Sequence, residues 1–550
     1  MMDQANGRVD RRALLLGGTA LLAAGAAGGL LTGAEAQAAP RVRPDISSPA
    51  GQRMIALYAL AVRAMQDPAI NYPPQPHSWI FQSYIHSVPS NPFDPANSGG
   101  LYNGTPELAT RIDQIYGNPA PGSRQAAWKA AALKCWSTCT HGSPLFPIWH
   151  RWYMYYFERV CRRMCGSATF QLPYWNYASN IGGSLQLPPA FVPQQTQPFP
   201  AQQRLVFDDR GPGFANPQGK GAQNVLMNGG GYLPYPLIDY QPALAATRMF
   251  PSDTSFPDPW PSPTFTRLGF TGRLECYPHD MVHNYVGGWM GNVPSAAGDP
   301  IFFVHHCQID RLYASWEAKP GIQYNWGTTD DDPSEATWKG HASWFVDETG
   351  KPVSVRMGNA VDTAALGYRY DNLAQPVPPV SPLLQGTAAQ PLTEVAAQRA
   401  ATLDVRAGGA AVTLQPAPGL LAASPSTTGI PAVLTLSDVV LLRRPPAPLA
   451  VFVNLPEGTP ATIDGPYYAG TLNLFHFDLG TGRRMMHGPG AAHAMAMTPD
   501  FTFAIGDLLR AQQQRRLWRG GAITVTVATP GGDQPGGTVY LTIGSIAFTP

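Results

Sequence analysis

The chain has 550 residues, 44% hydrophobic and 13% charged, with a net charge of +1. That length implies more than one domain and ample core-forming material. The near-neutral balance gives no basis for binding nucleic acid or an anionic membrane surface.

The N-terminus reads as a targeting segment. Arg11-Arg12 precedes an uncharged stretch, Ala13 to Leu31, and A-x-A cleavage choices fall near Ala36 or Ala38. This predicts a twin-arginine (Tat-type) signal over residues 1–38 and an exported, periplasmic or secreted protein. A membrane anchor is the rival reading, since the stretch is nearly long enough to span. Glycine enrichment and the small-residue exit argue for cleavage, and no other segment is apolar enough to cross a bilayer.

Gly51 to Met65 reads as an amphipathic helix stopping before Asp67-Pro68. His77 reads as a loop histidine, while His86 precedes an insertion rich in Pro, Asn and Gly, Pro89 to Gly104. Ser123 to Leu133 reads as a helix that delivers Cys135, then Cys139-Thr140-His141, then Phe146 to Arg151 with His150. Arg151 to Met164 continues as a helix whose stripe of Trp152, Tyr153, Tyr155, Tyr156 and Phe157 reads as core packing. Residues 180 to 265 lack periodicity and read as loops wrapped around a helical core.

Chemistry returns at His279-Asp280-Met281-Val282-His283. Two histidines four apart sit on one helix face and can reach one metal ion. Asp299-Pro300 then leads to His305-His306 and Asp310-Arg311. Of the chain's 12 histidines, seven are His86, His141, His150, His279, His283, His305 and His306. Random placement would not concentrate them so. Six cysteines are present, but no C-x-x-C argues for zinc, and disulfide connectivity is open.

Val346 to Lys351 is a turn signal between strand-like pieces. Residues 372–432, rich in Ala, Pro and Ser, read as a linker. Beyond it Val433–Leu436, Leu449–Val453, Thr471–Phe477, Ala522–Val527 and Thr538–Ile543 read as short strands, which predicts a β-sandwich over 433–550. His476, His487 and His493 match no spacing we recognise and read as structural or surface residues.

The paired-histidine blocks resemble the type-3 copper proteins: tyrosinases, catechol oxidases and hemocyanins, with the closest likeness to plant-like and bacterial polyphenol oxidases. The resemblance implies a mainly α fold: a helical-bundle dicopper domain with long loops over 39–371, plus the C-terminal β-sandwich as a cover. Tyr368-Arg369-Tyr370 resembles the Tyr-x-Tyr that closes such a copper domain. The resemblance implies His86, His141 and His150 as ligands of a first copper, and His279, His283 and His306 of a second. His306 is selected over His305 by its offset from Asp-Pro. Cys139 resembles the cysteine that forms a thioether with a ligand imidazole, here His141. Glu275 and Asp280 match positions that hold a water near the coppers, although Asn is usual at the second. Val293 stands where some catechol oxidases carry a bulky Phe gate, so an open entrance is expected. Asp310, one turn beyond His306, is expected to orient that imidazole. Gln308 departs from the family's usual Asn.

The implied function is oxidation of o-diphenols to o-quinones with O2, extending to ortho-hydroxylation of monophenols. Phenols and O2 are the expected partners, with no nucleic acid and no membrane after leader cleavage. Rivals are an o-aminophenol oxidase, a hemocyanin-like oxygen carrier with a blocked mouth, and a secreted β protein with incidental histidines.

Overall fold

The helices begin where the sequence offers caps. Ser48 accepts the Gly51 N–H ahead of Pro49, starting α1 (Pro49–Met65). Ser78 caps α2 (Trp79–His86), which ends on its own histidine. Ser123 caps α3 (Arg124–Cys135). α4 (Phe146–Cys165) has Pro147 in its first turn and stops at Gly166, whose φ of 68° a side chain would oppose. α5 (Met281–Val286) and α6 (Ile301–Glu317) carry the later histidines. This computed structural model describes residues 40–177, 185–191, 238–249, 272–324, 326–327, 333–375, 397–406, 408–415, 432–445, 447–480, 500–530 and 537–549. The expected leader over 1–38, most of the 180–265 stretch, His487 and His493 lie outside them.

The helices pack around a dense aromatic core. Phe157 of α4 and Phe303 of α6 stack with ring centroids 3.4 Å apart, and Trp79 of α2 meets Phe303 edge-on at 5.6 Å. Several buried hydroxyls and indoles donate to backbone carbonyls: Tyr58 to Pro300 O, Trp79 to Gly298 O and Tyr153 to Gln82 O. The α4 aromatic stripe is core as expected, with Tyr153 and Phe157 fully buried.

A buried ionic knot ties the ends of this bundle together. The strand Arg41–Arg43 pairs in parallel with Tyr368–Tyr370. Arg43 bridges Glu158 (2.8 Å) and Asp310 (3.0 Å), and Arg151 meets Asp310 at 2.6 Å. Tyr368 and Tyr370 both donate to Asp310. The expected role of Asp310 therefore needs correction: its lone pairs serve Arg43, Arg151 and the two tyrosines, not the His306 ring. An unpaired guanidinium would be too costly to bury.

The C-terminal region is β-rich. Its strands are β1 (Ala397–Arg406), β2 (Ala410–Leu414), β3 (Val433–Leu441), β4 (Ala450–Val453), β5 (Tyr468–Thr471), β6 (Phe501–Ala504), β7 (Ile523–Ala528) and β8 (Val539–Thr549). They form two four-stranded antiparallel sheets, β6-β3-β8-β1 and β5-β4-β7-β2. Alternating residues such as Ile523, Val525 and Val527 feed one apolar cluster with Leu434, Leu436, Leu541 and Ile543. Two expectations change. The stretch 372–432 is not purely a linker, because it supplies β1 and β2. The expected strand Thr471–Phe477 ends at Thr471: Arg444 takes the carbonyls of Leu474, Phe475 and Phe477, which removes them from any ladder. That departure sends 472–477 toward the helical bundle. Phe475 is the one described residue beyond 375 in the bundle's buried core cluster.

Candidate metal centre

The histidines of four separate sequence blocks meet inside the bundle. His86 comes from the last residue of α2, His150 from the first turns of α4, and His306 from α6. His141 sits in the loop between α3 and α4. His279 lies near the end of a wide π-type turn, Glu275–Asp280, where Tyr277 leaves helical dihedrals, and His283 follows on α5. Such π segments gather at functional sites. Despite the break, the His279 and His283 rings lie 4.5 Å apart.

Two groups result, one of His86, Cys139, His141 and His150, the other of His279, His283, His305 and His306. All are buried. The groups adjoin: His150 and His306 stack at 4.4 Å, and His141 lies 5.8 Å from His279.

Three imidazoles are tethered through Nδ1. His150 is held by Phe146 O (2.8 Å), His283 by Met290 O (2.8 Å) and His279 by Asp280 Oδ1 (2.7 Å). Each N–H donation assigns the tautomer and leaves Nε2 as a lone-pair donor. Burial pushes the His141, His279, His283 and His306 pKa values well down, and those of His150 and His305 to about 3, reinforced by neighbouring histidines. The rings are therefore neutral at physiological pH, as metal ligation requires. His283 Nε2 and His306 Nε2 are 3.3 Å apart. That spacing is close to the edge of a tetrahedron around a metal about 2.0–2.1 Å from each nitrogen.

Cys139 Sγ lies 3.4 Å from His141 Nδ1 and 3.8 Å from its Nε2, and so faces the ring carbon between them. Burial, then Glu275, holds its thiol well above the usual range, so it is not a thiolate ligand. All six cysteines are described and none is in a disulfide.

Glu275 is fully buried and accepts the Gly142 N–H at 2.7 Å. Asp280 is occupied on all sides. One oxygen takes His279 Nδ1 and His476 Nε2 (2.9 Å), the other Asn473 Nδ2 (2.6 Å). His476, expected to be structural or surface, instead enters the site. It also lies 3.7 Å from Glu275, and its ring is 4.9 Å from His141. Nothing in its local sequence marked it, because its partners are nearly 200 residues away.

Phe475 stacks on the His283 ring at 4.1 Å and 18°, beside His279 at 5.6 Å. The open entrance expected from Val293 is thus closed, by a residue of the C-terminal region. Val293 itself is buried at the start of the short helix Val293–Ala296. Gln308 receives Arg311 and approaches Asn176 at 3.5 Å. His77 bonds Glu348 O at 2.8 Å, away from the site.

The closely spaced clusters of buried neutral imidazoles fit a binuclear type-3 copper site. Residues 76–319 match the common central domain of tyrosinase, and residues 334–380 the polyphenol oxidase middle domain. Over these residues the chain is similar to type-3 dicopper tyrosinases and polyphenol oxidases of both bacteria and plants. It is 31% identical over 328 residues to a tyrosinase of Hahella sp. (strain CCB-MM4), a match covering 57% of this chain and 59% of that one. It is 30% identical over 246 residues to the chloroplastic polyphenol oxidase II of Ipomoea batatas, covering 42% of this chain and 39% of that one. The chain thus spans about two-fifths to three-fifths of these relatives' length. The solved structure of latent apple tyrosinase covers 93% of this chain and 97% of its own, at 19% identity and a TM-score of 0.46.

Proposed function

We propose that this chain is a copper-dependent polyphenol oxidase that oxidises o-diphenols to o-quinones with O2 and also ortho-hydroxylates monophenols. The observation that carries the reading is the tethering of His150, His279 and His283 through Nδ1, which leaves their Nε2 atoms for metal. His86, His141 and His150 would hold one copper, and His279, His283 and His306 the other. Bound copper would supply the redox chemistry with O2. The remaining work falls to protein groups. The position of Cys139 supports a thioether to His141, which would lock that ring. Glu275, pinned by Gly142, would receive through water the proton of a phenol, whose ordinary pKa is near 10. Asp280 acts chiefly by orienting His279.

The C-terminal region serves as a cover in this reading, with its two sheets packed as a sandwich and Phe475 over the second copper. Val293 is the gate once that cover withdraws. The domain plan is a leader over 1–38, a copper domain over 39–371 and a cover over 433–550 extended upstream by β1 and β2. The Arg11-Arg12 leader supports export by the twin-arginine route. Closure by Phe475 also favours a second reading, an oxygen carrier with a blocked mouth.

Quinone formation from catechol and from a simple monophenol, before and after limited proteolysis of the copper-loaded chain, separates them. Slow turnover before clipping and fast turnover of both substrates after it is expected. Turnover of catechol alone would leave a catechol oxidase. No turnover of either after clipping, with copper retained, would overturn the enzyme in favour of the carrier.

A further inference from the structure

Arg444, in the turn between β3 and β4, reaches from the β-rich region to the bundle. Its backbone N–H donates to Asn97 Oδ1 (3.2 Å) and its Nη2 to Asn292 Oδ1 (2.9 Å). The same guanidinium takes the carbonyls of Leu474, Phe475 and Phe477. Every acceptor it reaches among the described residues is neutral. Its Nε is buried and has no hydrogen-bond partner among those residues. Burial pushes the Arg444 pKa down to about 9, offset only in part by the charge of Asp478. A guanidinium desolvated in this way gains more from an anion than from carbonyls.

A cavity of about 440 Å³ lies beside it. Arg444 lines it with Pro448, Leu472 and Leu474 from the β-rich region, and Ala96 and Trp289 line it from the bundle. The volume suits a small ring-bearing molecule. Asp94 is the one acid among the lining residues, and the Asn97 amide engages that carboxylate at 3.1 Å. Arg443, which is exposed, adds a second positive charge. The walls thus offer apolar surface, a net positive charge and a guanidinium N–H still to be satisfied. We propose that this seam cavity binds a small carboxylate carrying an apolar ring, with its carboxylate on Arg444, and that the bound molecule locks the cover shut. The proposal rests on the latency reading given above. The cavity is complete only while its two sides face each other, so a ligand that fills it favours the covered chain over the open one. Nε is the vacant donor, so Arg444 can take the ligand without releasing the carbonyls that hold Phe475 in place.

The test uses the copper-loaded full-length chain, with cyclohexanecarboxylate as probe and cyclohexanecarboxamide as its uncharged control. Calorimetry should show one carboxylate bound per chain and about ten-fold weaker binding of the amide. Ala96→Phe, which fills the cavity and leaves Arg444 in place, should abolish that binding. With the probe at about ten times its Kd, opening of the cover should be about ten-fold rarer. Diphenol oxidation by the unclipped chain, and the rate at which protease activates it, should both fall by that factor. The clipped chain should oxidise catechol equally fast with and without the probe. Equal affinity for acid and amide would overturn the anion site, a comparison that needs no variant to fold. Binding retained in Ala96→Phe, or equal slowing of the clipped chain, would place the probe elsewhere and overturn the proposal. If clipping does not speed oxidation in the absence of the probe, the cover reading fails and the lock with it, while calorimetry still decides the cavity.

Discussion

His279 depends on its neighbour in sequence. Asp280 accepts from its Nδ1 and so aims Nε2 inward, an arrangement that needs no distant element. We expect His279→Ala and His306→Ala each to leave one copper per chain and no quinone formation, read by metal analysis beside an oxidase assay. Two coppers in either variant would refute its ligand role. A second residue-scale prediction concerns Asp299, whose carboxyl is buried and pushed up to about 7 against a single hydrogen bond from the Ile301 N–H. A raised folded-state value means that its contribution to stability is fully present below about pH 4 and is lost as pH rises through about 7. Asp299→Asn should flatten the stability profile across that window in denaturant titrations. An unchanged slope would show that Asp299 does not titrate there. At this scale the sequence was informative where partners are adjacent or one turn apart. It misled for Asp310, because the Arg43 and Arg151 that claim that carboxylate come from 267 and 159 residues away.

The decisive element is the segment 472–477. Its composition reads as a strand, but its backbone carbonyls are held by Arg444, which also reaches Asn292 Oδ1 at 2.9 Å. Asn473 adds bonds to Asp280 and to Asn284. These contacts hold Phe475 on His283. Burying a Phe side chain is worth about 1.5–3 kcal/mol. If that energy holds the cover closed, Phe475→Ala should raise the uncovered population, and initial diphenol oxidation, by about ten- to a hundred-fold. Arg444→Met should move the rate the same way while leaving Phe475 present. A Phe475→Ala chain as slow as wild type, and equally accelerated by clipping, would show that the latch lies elsewhere.

Across the whole molecule, the bundle is closed by the ionic knot that joins the Arg41–Arg43 strand to the Tyr-x-Tyr strand. Burial raises the Asp310 carboxyl, but the charges of Arg151 and Arg43, with hydrogen bonds from Arg151 and Tyr368, outweigh it and hold it below its ordinary value. The stability that follows is present above about pH 4 and is lost as pH falls through the lowered folded-state value. Asp310→Asn leaves two guanidinium groups short of a counter-charge and should cost about 3–5 kcal/mol in chemical unfolding. It should also blunt the acid limb of the profile. A loss below 1 kcal/mol would mean that the knot is not a main support of the bundle.

The sequence by itself determined where several helices run and marked out the histidines that the fold gathers. Capping residues, periodicity and the four-residue spacing of His279 and His283 act over a few residues, and the His-rich blocks are self-marking. Only the tertiary structure decided which carboxylates serve the metal centre and which serve the scaffold. It also decided that β1 and β2 belong to the sheets, and that Phe475 and His476 close a site nearly 200 residues upstream. Those outcomes depend on which buried charges and carbonyls find partners across the fold, and a dry interior settles that only when the distant elements meet.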